Sequence, residues 1–289
     1  MSRVNHILRT ISLPVAIHCW GGLGSQLYAV AIRLVLEREF PTRRFYFVAH
    51  QSGVTQRKCE LESYFPGTVD IKEDFVPKSK TMSQSKLPIP RSLVRKCFLS
   101  LLYKSHLIVN GDLDSYQNQI KSWTMQIRGH YSENYLDGSV IEQIARIFFF
   151  ESHEYPEISD SVALHFRLGD LVHLNSKSPI EPKRLIEILE RIQRETAKKI
   201  MVFSDSPALA NQLLIGTNLR FSIAKQQSPI ETLKCLANSK IFVGTNSKLS
   251  VWSTLFASIN NSESICYLPN EVRHHVQANL CDIQSVNYY

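Results

Sequence analysis

No stretch of this 289-residue chain approaches eighteen consecutive apolar residues, so the sequence offers no membrane-spanning helix. Its cysteines (Cys19, Cys59, Cys97, Cys235, Cys266 and Cys281) are scattered, with neither a CxxC pair nor a zinc spacing. They read as reduced, buried thiols of a cytosolic protein. No GxxxxGK[ST] occurs, which excludes a P-loop, and HExxH and GxSxG are missing too. The nearest approach to a metal-binding DxD is "GDLD" at 111–114, which reads as a loop acid pair. No long aromatic-and-basic stripe is present, so no nucleic-acid partner is expected. The opening "MSRVNHILRTISLPVAIHCW" lacks a continuous apolar core with a small-residue cleavage site, and it is expected to be mature protein rather than a signal peptide.

What remains is a globular composition, 44% apolar and 20% charged, in a length that fits one large domain or two ordinary ones. The formal charge of +7 suits anionic partners such as nucleotides, acidic glycans or a lipid headgroup surface, although the cationic residues are spread along the chain. The expected location is the cytoplasm, extending to peripheral association with the inner face of a membrane.

The order of elements is more informative than composition. "VAIHC" reads as a buried strand and "GGLGSQ" as a tight turn; Leu23, Leu27, Val30, Ala31 and Leu34 then follow helical spacing, and "FYFVA" is the next strand. "RSLVRKCFLSLLY" reads as an amphipathic helix, "SHLIVNG" and "SWTMQIRGHY" as strands, and "VIEQIARIFFF" as a helix. After "ESHEYPEISD", strands "VALHF", "KIMVF", "RFSI", "KIFVG" and "SICYL" alternate with helices. "SPIE" at 178–181 and again at 228–231 places serine, proline and glutamate as a capping box in each copy. Alternation of this kind implies parallel sheets covered on both faces. The expected architecture is α/β, with Rossmann-like domains over 1–155 and 156–289 facing across a cleft.

Ligands of such sheets bind beyond the carboxyl ends of the strands. Three strand ends of the second half are polar there: "LHFRLGD" with His165, Arg167 and Asp170, "VFSDSP" with Ser204, Asp205 and Ser206, and "VGTNSKLSVW" with Thr245, Asn246, Ser247, Lys248 and Ser250. Taken singly, each has a plain structural role. Asp205 can cap the helix near Pro207, Ser247 and Ser250 can be helix-start serines, and Arg167 can pair with Asp170. Together they form a mouth rich in donors around a fixed cation, which suits a sugar nucleotide. The start of the helix after "TNSK" favours an anion, and Asp205 can accept from the paired N–H groups of guanine. The turn with Gly21, Gly22 and Gly24 lacks the third glycine of GxGxxG, so a dinucleotide-binding oxidoreductase is the weaker reading.

Taken in order, these stretches resemble the glycosyltransferase family 11 α-1,2-fucosyltransferases, within the α-1,2/α-1,6/protein-O-fucosyltransferase group. "GGLGSQ" (21–26) is similar to the family's GGLGNQ, "HFRLGD" (165–170) to HxRRGD, "FSDS" (203–206) to FSDD, "NSKLSVW" (246–252) to NSSFSWW, and "IRGHYSENYL" (127–136) to GYFQSEKYF. The chain departs from the pattern at Ser25, Leu168, Ser206, Lys248 and Val251. The lost second arginine at 168 is offset, on this reading, by Lys248.

The resemblance implies a GT-B fold that transfers L-fucose from GDP-β-L-fucose to the 2-hydroxyl of a terminal β-galactoside, with inversion, no metal and no cofactor. Arg167 and the helix start at Asn246–Ser250 would stabilise the departing phosphate. The candidate bases are Asp170, slightly favoured, then His173 and His18. His165 and Asp205 are assigned to the guanine and ribose side, with Ser204 beside them. Gly22, Gly24, Ser25 and Gln26 are expected to face the donor phosphates, and Tyr131, Glu133 and Tyr135 to lie nearer the acceptor. Two alternatives stay open: another GDP-sugar as donor, or a sugar-nucleotide- or glycan-binding protein that has lost turnover.

Overall fold

The computed structural model describes residues 13–51, 57–72, 91–112, 116–149, 158, 160–168, 182–225, 227–260, 263–277 and 286–289. Among them the chain divides into two compact units, Met1–Asn134 and Tyr135–Tyr289. The division expected at 155/156 thus lies some twenty residues beyond the observed one, and the helix Gly138–Phe149 counts with the second unit. Its apolar Val140, Ile141, Ile144 and Phe148 are buried at helical spacing, and it packs on the helix Lys248–Asn260 of that unit.

The first unit carries a five-stranded sheet of β1 (Val15–Trp20), β2 (Phe45–His50), β3 (Val69–Lys72), β4 (Ile108–Asn110) and β5 (Gln126–Arg128). The order is β3-β2-β1-β5-β4, and every pairing is parallel. Helix α1 (Leu23–Glu39) crosses from β1 to β2, buried along nearly its whole length by Leu27, Ala31, Leu34 and their neighbours. Helices α2 (Arg91–Lys104) and α3 (Tyr116–Gln119) follow before β4 and β5 respectively. The short strand β3 was not anticipated, because "VDIK" lies half-exposed at a sheet edge and has no apolar run.

The second unit begins with α4 (Gly138–Phe149) and holds a six-stranded parallel sheet. Its strands are β6 (Ser161–Phe166), β7 (Lys199–Ser204), β8 (Phe221–Ile223), β9 (Ile241–Gly244), β10 (Ile265–Leu268) and β11 (Val286–Tyr288). They run in the order β11-β10-β9-β6-β7-β8. Strand β6 is buried at every residue, as an inner parallel strand should be. Helix α5 (Pro182–Thr196) lays Leu185, Leu189 and Ile192 on this sheet, joined by α6 (Pro207–Leu214). Helices α7 (Pro229–Ala237), α8 (Lys248–Asn260) and α9 (Arg273–Gln277) complete the unit. The capping box expected at 228–231 is present: Ser228 Oγ accepts from Glu231 N at 3.2 Å, and Glu231 accepts from Ser228 N at 3.0 Å. The copy at 178–181 lies outside the described residues.

The chain leaves β6 to build β7 and β8 on one side, then returns to build β9, β10 and β11 on the other. The carboxyl ends of β6 and β9 therefore flank the switch point, where open parallel sheets part to admit ligands. Of the five described cysteines, all are free thiols and only Cys97 is exposed. No helix among the described residues is long and apolar enough to cross a membrane.

Candidate functional site

In the second unit, register brings the three polar strand ends together. His165 pairs with Phe203 on one side and Gly244 on the other, and Phe166 lies opposite Ser204. Arg167, Asp205 and Thr245 are the residues that follow, so each emerges at the same edge. The Arg167 guanidinium meets Asp205, with Nε 3.0 Å from Oδ2, and the two side chains are 20% and 15% exposed. The other carboxylate oxygen, Oδ1, accepts from Leu168 N at 2.9 Å. Residue 205 counts as exposed overall, which its main chain accounts for, since its carboxylate is sheltered.

This geometry corrects the reading of Asp205 as a helix cap. Ser206 is the N-cap of α6 and makes no side-chain capping bond. Ser204 Oγ accepts from Ser206 N at 3.1 Å instead. Asp205 reaches back to hold Arg167 and the turn after β6. The paired acceptance from a guanine edge expected of it would have to share oxygens already engaged. Its first effect is to fix the arginine; a fixed guanidinium presents its fork without paying rotamer entropy at each binding event.

Beneath this ion pair runs a buried hydroxyl latch. Thr245 Oγ1 donates to His165 O at 2.9 Å and lies 3.0 Å from Arg167 N, from which it accepts. Ser250 Oγ accepts from Thr245 N at 3.2 Å and lies 2.8 Å from His165 Nδ1. His165 and Ser250 were expected to touch a ligand, yet both are buried, so they build the floor of the site rather than its surface. Burial, followed by the nearby Arg167 guanidinium, pushes the His165 imidazole down to about 4, partly opposed by Asp205. A neutral ring adds no second charge below the arginine.

The start of α8 stands beside this latch. Ser247 Oγ accepts from Leu249 N at 3.2 Å, so it caps the helix, as its sequence position allows. Asn246, Ser247 and Lys248 are half-buried at that end. Gly244, which the sequence reading passed over, lets the helix come so close. A Cβ there would lie 2.6 Å from Leu268 Cδ2 and 2.7 Å from Ser250 Cβ. The signal was only a lone glycine at the end of an apolar strand. Asp170 and His173, two of the candidate bases, lie outside the described residues.

The first unit treats its motif residues differently. Gly21 turns with φ 83, in the region glycine tolerates, and Gly22 precedes α1. Gln26 was expected to face phosphate, but it is buried and its amide is spent. Nε2 donates to Gly21 O at 3.0 Å and Lys58 O at 2.9 Å, while Oε1 accepts from Glu60 N at 2.8 Å. Gly24 is also buried, whereas Gly22 and Ser25 are half-buried. Tyr131, expected near the acceptor, is 1% exposed, and its hydroxyl sits 2.5 Å from His18 O and 3.0 Å from Ile127 O. It is a strut between β1 and β5. Burial above all pushes its phenol upward. Glu133 and Tyr135 remain exposed. Asp112, from the "GDLD" read as a loop acid pair, accepts from His130 N and Tyr131 N at 2.6 and 2.7 Å and so holds that turn.

One cluster at this edge escaped the sequence reading. The parallel register sets Trp20 beside His50, and strand alternation puts His18 on the same face. His18 Nδ1 lies 2.8 Å from His50 Nε2, and the Trp20 and His50 rings stack 4.5 Å apart at 7°. His18 is buried and the other two rings are half-buried. His18 alone had been singled out, because partners on a second strand are invisible until pairing is known.

No family model and no curated protein matches this chain. Solved structures do. E. coli heptosyltransferase WaaC with ADP is similar at 12% identity and TM-score 0.45, over 96% of this chain and 93% of that one. E. coli ADP-heptose lipopolysaccharide heptosyltransferase II is similar at 10% identity and TM-score 0.47, over 96% and 90%. POFUT1 in complex with GDP-fucose is similar at 13% identity and TM-score 0.36, over 89% and 97%. At these identities and scores the likenesses carry no argument about what this chain does.

Proposed function

We propose that this chain is an inverting glycosyltransferase that moves L-fucose from GDP-β-L-fucose to the 2-hydroxyl of a terminal β-galactoside, without a metal ion. The observation that carries the reading is Arg167, fixed by Asp205 at the switch point of the second sheet, within a run of sequence similar to the donor motif of family 11 fucosyltransferases. The other motif stretches stand in the family's order along the chain.

The chemistry needs negative charge to be met as it gathers on the leaving phosphate. Arg167 supplies a permanent cation, and the capped start of α8 with Lys248 supplies main-chain N–H groups and a second charge. One such donor aimed at developing charge is worth roughly 3–4 kcal/mol of barrier. Lys248 stands in for the arginine that Leu168 replaces, in keeping with the buried Leu168 side chain. Asp170 remains the favoured base, with His173 and His18 behind it.

Incubation with GDP-fucose and a panel of β-galactosides, with the new linkage read by NMR, tests this. An α-1,2-fucosylated product, formed equally in excess EDTA, is expected. Turnover of GDP-mannose in its place, or strict dependence on a divalent ion, would overturn the donor and the metal-free mechanism respectively.

A further inference from the structure

The positive charge of this chain is not spread evenly in net terms. Residues 75–111 hold seven basic residues (Lys78, Lys80, Lys86, Arg91, Arg95, Lys96 and Lys104) and no acidic one, whereas the rest of the chain has 26 of each sign. The entire excess of +7 therefore belongs to α2 and the segment leading into it. On the described part of α2, Phe98 and Leu101 are three residues apart, which puts them on one face of the helix. Both are strongly exposed, at 59% and 61%. Tyr103 follows them, and Trp123 and Met125 stand at the same end of the helix, since Trp123 Nε1 donates to Ser105 O and Met125 N to Leu107 O. These five are exposed between 37% and 61%. They account for most of the exposed large apolar side chains described in the first unit.

We propose that α2 and the Ser122–Met125 turn form a docking surface for an anionic lipid bilayer. The residue types point to that occupant. Exposed phenylalanine, tryptophan and tyrosine in a part of the chain whose sequence is rich in lysine and arginine suit the headgroup boundary, where rings enter the acyl edge and cations meet phosphates. A protein partner fits less well, because the cores of protein interfaces are depleted in lysine. The helix is too short to span a bilayer, so it would lie in the interface plane. Nothing in this inference depends on the transfer reaction, and its test does not read activity.

The test is flotation of the full chain with phosphatidylglycerol-containing vesicles and with vesicles of phosphatidylcholine alone. Binding to the anionic vesicles is expected, with release at high salt and a loss of about tenfold for Phe98→Ser with Leu101→Ser, or for Trp123→Ser. Arg95→Glu with Lys96→Glu should weaken binding comparably, and it serves as the second arm if a serine variant melts early by circular dichroism. Absence of flotation with either vesicle, equal flotation with both, or folded variants that bind like the parent would overturn the proposal. So would sedimentation velocity showing that the chain self-associates through this patch in place of binding vesicles.

Discussion

Two sheet edges of one chain put similar motif residues to opposite uses. At the edge of the first sheet, Gln26 and Tyr131 turn inward and spend their polar atoms on main-chain groups. At the edge of the second sheet, an inner layer of His165, Thr245 and Ser250 makes the same kind of internal bonds, but it carries an outer layer in which the partly exposed Arg167 and Asp205 side chains pair. Polar residues of a motif thus divide into those buried in the framework of the backbone and those that lie nearer solvent. Burial separates the two kinds where residue type cannot.

The sharpest test of that division is Arg167→Ala. Transfer should fall by about a hundredfold or more while the melting temperature stays close to the parent's. A variant within tenfold of parental turnover would move Arg167 among the builders. Gln26→Leu should do the reverse. It strands Gly21 O, Lys58 O and Glu60 N and should cost roughly 2–4 kcal/mol of stability, read by urea denaturation. An unchanged midpoint would show that the amide is not needed to hold the turn. Gly244→Ala tests the inner layer of the second sheet, since the added Cβ presses on Leu268 and Ser250. About 1–3 kcal/mol is expected, with GDP binding weakened as the start of α8 shifts.

The last test concerns pH. The folded His165 is held near 4 against an ordinary value of 6.5. Between those values the unfolded chain binds the extra proton and the folded one does not. Stability should therefore decline as pH falls from about 6.5 towards about 4, and this group adds no further slope below that. A His165→Gln variant should flatten that part of the curve, and a parallel curve would mean that the ring is not held neutral in the folded protein.

Much of the fold was legible in the chain itself. Apolar runs of strand length alternating with amphipathic helices predict parallel sheets, and every pairing in both sheets is parallel. The strands β3 and β11 were missed because "VDIK" and "VNY" are short, partly exposed edge segments whose pairing comes from a neighbour rather than from their own pattern. The domain division was misplaced because a polar stretch at 151–160 looks like a linker, while the helix before it follows its buried face into the second unit.

The sequence by itself determined the alternation of elements, the three polar strand ends of the second half and the presence of a permanent cation among them. Local periodicity, turn chemistry and side-chain ionisation are properties of short segments, so they can be read from one. Only the tertiary structure decided that Asp205 holds Arg167 rather than capping a helix, that His165 and Ser250 lie beneath the site, and that His50 joins His18 and Trp20. Those partners are 32 to 85 residues apart, and strand register brings them within hydrogen-bonding reach.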